Sequence, residues 1–175
     1  MSKIKKTFIV ILVFSFVFSL GSYAQERTNV IKANPIGLAF GNFNVTYEKV
    51  LNSKSSVLFK GTYAYNLLGT DVSALGLGAG YRYYFTHTKT EVPSGFWVTP
   101  QASFEFGSIK DNGNTHSFTA FAIGAEVGYQ WAWKNGFTLD LGIGPNYTIM
   151  NASDYELETT SGIVPSLTLA IGYAF

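Results

Sequence analysis

From Thr28 onward, bulky apolar side chains recur at every second position in runs separated by turn-forming residues. A period of two is the repeat of a β-strand with unlike faces. The last run is the clearest. Ile163, Pro165, Leu167, Leu169, Ile171, Tyr173 and Phe175 alternate with Val164, Ser166, Thr168, Ala170, Gly172 and Ala174. Phe137 to Ile149 and Phe121 to Trp131 repeat the pattern, as do Phe96 to Gly107 and Leu75 to Phe85. Val57 to Asn66 and Phe43 to Glu48 are shorter versions. The run from Thr28 to Phe40 is the weakest, because Ile36, Leu38 and Phe40 share parity with Lys32 and Asn34. A β-bulge near Pro35-Ile36-Gly37 would restore its register. Eight antiparallel strands result, an all-β up-and-down arrangement.

The choice of inner face follows from volume. The apolar face carries most of the Phe, Tyr and Trp rings, more than an eight-stranded lumen holds, since such a lumen is only just wide enough for side chains to fill. The opposite face is rich in Gly, Ala, Ser and Thr, which suits a crowded concave wall. The rings are therefore expected outside, as in a membrane-embedded barrel and unlike a lipocalin-type soluble one. Charged residues are 13% of the chain, about half the usual share. Backbone groups in a bilayer must be paired within the protein, so the sheet is expected to close.

The N-terminus reads as a secretory signal. Lys3, Lys5 and Lys6 precede an apolar run from Phe8 to Leu20, and Ser22 and Ala24 are small residues placed for cleavage before Gln25. Met1 to Ala24 is the expected signal and Gln25 to Phe175 the barrel domain. Without the three leader lysines, nine Lys and Arg face eleven Asp and Glu, a balance with nothing to attract nucleic acid. The chain has no Cys, hence no disulfide and no lipidated cysteine.

Strand parity also sorts the charges. Lys32, Lys60 and Arg82 fall on the inner face with Glu48, Glu105, Glu126 and Asp140. Unpaired charge in so narrow an interior is costly, so these seven are expected to form one salt-bridged lumen network. An ion path lined by the same groups is the alternative. Outer loops are expected near Gly41-Asn42, Asn66 to Ser73, Ser108 to Ser117 and Met150 to Gly162, with periplasmic turns at Leu51 to Ser56, Thr86 to Gly95 and Lys134 to Gly136. That count puts Trp97, Trp131, Trp133 and Phe137 in an aromatic girdle at the periplasmic end. Pro100, Pro145 and Pro165 lie inside strands, where bulges or strand ends are expected.

The closing stretch Leu169-Ala170-Ile171-Gly172-Tyr173-Ala174-Phe175 resembles the C-terminal assembly signal of bacterial outer-membrane proteins. Lys32-Ala33-Asn34-Pro35, Tyr47-Glu48-Lys49 and Gly80-Tyr81-Arg82-Tyr83-Tyr84-Phe85 are similar to markers of a family of small outer-membrane β-barrel proteins of undetermined function, single barrels of the OmpA or OmpX type. The resemblance implies the fold and an outer-membrane address. It also implies contact with membrane lipid and with the barrel-assembly machinery, through Leu169, Ile171, Tyr173 and Phe175.

Catalytic signals are weak. Lipid A deacylases and palmitoyltransferases on such barrels depend on an outer-rim histidine. His87 falls in a periplasmic turn, while His116 falls in an outer loop beside Ser117 with Glu126 ten residues on. Neighbouring strand residues point to opposite faces, so these do not form a nucleophile–base–orienter set. Asp154, Glu156 and Glu158 read as a solvated acidic loop before a Ca²⁺ site. Gly76, Gly78 and Gly80 have the spacing of a strand face, and no helix follows them as a nucleotide loop requires. The expected role is structural or partner-binding, with no cofactor or metal and an unidentified protein as possible partner. A narrow, porin-like channel is the alternative, and a lipid-modifying enzyme comes third.

Overall fold

The structure, a computed structural model, describes residues 27–65, 71–111, 114–152 and 159–175. The signal segment with Ala24 and Gln25, much of the second outer loop, and Asp154, Glu156 and Glu158 lie outside the described residues. The strands are β1 (Asn29–Ala33), β2 (Asn42–Asn52), β3 (Ser55–Ala64), β4 (Val72–Tyr84), β5 (Gly95–Asp111), β6 (Asn114–Ala132), β7 (Phe137–Ala152) and β8 (Thr160–Ala174). Each pairs antiparallel with its sequence neighbour, and β8 returns to β1, so eight strands form a closed ring.

The weakest run departs from its expected form. No bulge forms at Pro35. Instead β1 stops at Ala33 and a short helix, α1 (Pro35–Ala39), follows. The Asn34 side chain accepts from the Gly37 N–H at 2.9 Å, an N-cap, and Pro35 opens the helix where its missing N–H costs nothing. The parity of Ile36, Leu38 and Phe40 is thus helical, not a shifted strand. The bulge lies elsewhere, between Val50 and Asn52, where β2 shifts register against β3. Asn52 then receives the Lys54 N–H at 2.9 Å in a turn tighter than the expected Leu51 to Ser56. At the β6–β7 turn, Gly136 adopts φ +92, a left-handed conformation that favours glycine.

The outer ends also differ. Ser108 pairs with Ser117, Ile109 with His116 and Lys110 with Thr115, so the expected third loop is largely ladder and His116 is a strand residue. Pro100 and Pro145 cause no bulge. The β4–β5 ladder skips from Gly80↔Gln101 to Tyr83↔Val98, and β6–β7 from Gly124↔Asn146 to Val127↔Ile143, with the same register on both sides of each gap. Each proline nitrogen faces its gap, so the sheet loses local bonds and keeps its alignment.

Burial is inverted relative to a water-soluble domain. Lys32, Glu48, Arg82 and Asp140 are at most 2% exposed, whereas Leu77, Leu167 and Ile163 are 67%, 70% and 75% exposed. The two strand faces thus divide as their chemistry does, with ions within and hydrocarbon without.

Candidate functional site in the lumen

Seven strands, β1 to β7, converge on one cluster. The Lys32 ammonium on β1 donates to Glu48 at 2.7 Å, Asp140 at 2.6 Å and the Gln130 carbonyl oxygen at 2.8 Å. Those three acceptors match the three protons of the ammonium. The Arg82 guanidinium on β4 shares two of them, donating to Asp140 and Gln130 at 2.8 Å each, and sends its Nε–H to Thr99 at 3.1 Å. Glu48 lies 3.6 Å from Arg82 and accepts from the Ser56 hydroxyl and from the Tyr84 hydroxyl at 2.6 Å. The two cations and two carboxylates cancel.

Trp97 completes the cluster and corrects an expectation. It does not belong to the outer girdle but is fully buried. Its Nε1–H donates to the second Asp140 oxygen at 3.0 Å, and Arg82 stacks over its ring at 3.8 Å. Room for the indole comes from Gly128 and Gly142, which face each other across β6 and β7. A Cβ on Gly142 would meet the indole Cζ2 at 2.7 Å, and one on Gly128 would meet the same atom at 2.5 Å. Gly142→Val should therefore overpack the floor of the lumen and destabilise by about 1–3 kcal/mol, read as a lower urea midpoint.

Below this cluster the long turn between β4 and β5 folds inward. Pro93 is buried, and its carbonyl accepts from Gln130 Nε2 at 2.8 Å. That bond ties the turn to the lower side of the cluster.

The seven expected charges do not form one network. Lys32, Glu48, Arg82 and Asp140 make the lower cluster. Higher up, Lys60 lies 3.9 Å from Glu126 and donates to Gln101, while Glu126 also accepts from Ser166 and from Thr168 at 2.7 Å. Glu105 stands apart, packed over Gly76 with no ion pair among the described residues. Shared parity brought these groups inside, but different strand heights separate them. Gln130, Tyr84, Ser56 and Thr99 carry no charge, yet each shares parity with a charge on its own strand or with its cross-strand partner, and Trp97 shares the parity of Glu105 on β5. Neutral side chains on the inner face carry no charge signal, and only strand parity marks them.

His116 and Ser117 are successive residues of β6, and Glu126 is held by Lys60, Ser166 and Thr168 well below them. His87 Nδ1 bonds the Tyr84 carbonyl oxygen at 2.8 Å at the opposite end. His116 and Glu126 thus stand at different heights along β6, with His87 beyond β4 at the other end. No metal-ligand cluster occurs among the described residues.

Comparisons with curated proteins and with solved structures each gave no match. A family model described as "Protein of unknown function (DUF3575)" matches residues 8–166, which is most of the chain, and the chain belongs to that family.

Proposed function

We propose that this chain is an integral outer-membrane β-barrel protein with a structural or partner-binding role, its lumen closed by the ion-pair cluster. The observation that carries this reading is the inverted burial, with a neutralised ionic core inside a ring of exposed apolar side chains. Water strips little stability from such a core, while lipid is the solvent that tolerates such an exterior. Among the described residues no helix is long and apolar enough to cross a membrane, and the reading assigns the crossing to strands.

Aromatic side chains at the end bearing the β2–β3 and β6–β7 turns support the same membrane reading. Phe96 packs on Tyr129 at 4.7 Å, Tyr129 on Trp131 at 4.5 Å and Trp133 on Phe137 at 5.3 Å between ring centroids. Amphipathic rings at one level suit a headgroup boundary.

The test is direct. The protein should stay in the membrane fraction through alkaline extraction, migrate differently in SDS with and without boiling, and conduct almost nothing in planar bilayers. Release by alkali would refute the membrane reading, and large steady conductance would refute the closed lumen. Co-purification from detergent followed by mass spectrometry would identify the partner.

A further inference from the structure

The ring closes over only part of its height. β1 pairs with β8 from Val30↔Ala174 to Ala33↔Ile171 and then ends, because Asn34 and Pro35 turn the chain into α1. From Thr160 to Ala170, β8 pairs with β7, and no other strand among the described residues flanks it. A strand spans a bilayer in roughly 9–11 residues. Counted upward from Ala174, that span includes Ser166 to Ala170, so the unflanked edge lies at bilayer depth.

A cavity of about 300 Å³ sits above the ion-pair cluster and reaches this edge. Its β8 lining is Ser166, Leu167, Thr168, Leu169 and Ala170 in succession. This stretch lies above Ile171, the last β8 residue paired with β1, so the cavity borders the part of the wall that no β1 ladder closes. Its other side is Asn34 and Gly37, at α1. The segment of wall between α1 and the upper part of β8 thus has no strand ladder across it.

Proline chemistry fixes what the edge presents. Pro145 and Pro165 oppose each other across β7 and β8. A hydrogen-bonded pair requires an N–H from each member, so these two occupy a non-hydrogen-bonded position. Pro165 thus turns its nitrogen toward the gap, and by alternation Leu167 and Leu169 direct N–H and C=O groups there. Unsatisfied backbone groups facing lipid are costly. A pairing strand would meet no donor at Pro165, which disfavours a strand as the occupant.

We propose that this gap is a lateral binding site for a lipid-like amphiphile with an uncharged, hydroxyl- or amide-bearing head group. The proposal rests on the membrane reading above. Exposed Ile163 and Leu167 on one side, with Ile36, Leu38 and Phe40 on the other, flank the gap for the acyl portion. Inside, Gln101, Asn44 and Asn146 supply amide groups. Of the two lysines lining it, Lys60 is engaged by Glu126 and Gln101 and Lys32 by Glu48, Asp140 and Gln130, while Glu105 adds a further carboxylate. That balance rejects phosphate and accepts neutral hydroxyls. At about 30 Å³ per water the volume corresponds to roughly ten waters, room for one sugar-sized head.

The test titrates octyl β-glucoside into the full barrel held in dodecylphosphocholine micelles, with backbone and side-chain amides followed by NMR. Saturable shifts are expected at Leu167, Leu169, Gln101 and Asn146, and free glucose should produce none at matched concentration. Gln101→Leu and Asn146→Leu should each weaken binding about tenfold, while the outward Ile143→Ala should not. Shifts spread evenly over the outer face would overturn the proposal, as would equal binding of free glucose, which implies entry from the top. Concentration-dependent dimerisation with shifts at Leu167 and Leu169 would also overturn it, assigning the edge to a second copy. A protein that stayed monodisperse without any detergent would instead refute the membrane reading.

Discussion

Asp140→Ala should lower unfolding stability by about 3–5 kcal/mol, the loss typical of breaking a buried ion pair on one side. Asp140 accepts from Lys32 at 2.6 Å, Arg82 at 2.8 Å and the Trp97 indole at 3.0 Å, and is 1% exposed. Its removal leaves two buried cations against Glu48 alone, with the indole N–H also stranded. The Coulomb attraction lost is smaller in consequence than the desolvation left uncompensated. The measurement is urea unfolding of the barrel in lipid vesicles, followed by tryptophan fluorescence. Asp140→Leu combined with Lys32→Met removes opposite charges together and should recover much of the loss, because a buried pair is often replaceable by apolar groups of similar volume. A single variant within about 0.5 kcal/mol of the parent, the range of an ordinary surface change, would mean the cluster is hydrated and does not close the lumen.

Trp97→Ala should cost a comparable 3–5 kcal/mol or so and should also make the barrel leak. The indole is fully buried between the Arg82 guanidinium and the Gly128–Gly142 slot. Those glycines lack side chains to refill the space, and the surrounding strands are held by ladder bonds on both sides, so collapse is limited. The vacated volume borders Arg82, Asp140 and Thr99, polar groups that hold water readily. Planar-bilayer recording should therefore show small conductance steps in the variant and none in the parent. Full stability with no steps would assign the seal to the Pro93 turn instead. Trp97→Phe keeps most of the volume but loses the Asp140 bond, so it should lose stability without opening a path.

Strand identity and face were legible because alternation is local. Each residue's parity is set by its immediate neighbours, and Leu167 or Asp140 reports its face without reference to the rest of the chain. Parity places all seven ionisable groups on the inner wall, and it places Trp97 there too, in line with Thr99 and Glu105 on β5. Local chemistry also overruled parity once, at Asn34-Pro35, where capping a helix and ending β1 outweighed continuing a strand with polar residues on its apolar face. What the sequence alone determined, then, is which side chains point inward.

The tertiary structure decided which of them meet. Height within the lumen depends on strand tilt and on the register summed around eight pairings, and no single strand encodes that sum. Register therefore separates Lys60 and Glu126 from the Lys32–Glu48–Arg82–Asp140 cluster and leaves Glu105 outside both. The early end of β1 at Asn34 leaves the upper part of β8 with no strand beside it, and closure of the ring turns Pro165 toward that gap. A proline in a strand is visible in one dimension. Whether its missing N–H falls within a sheet or on an open edge depends on where the neighbouring strand ends, and closure of the ring determines that.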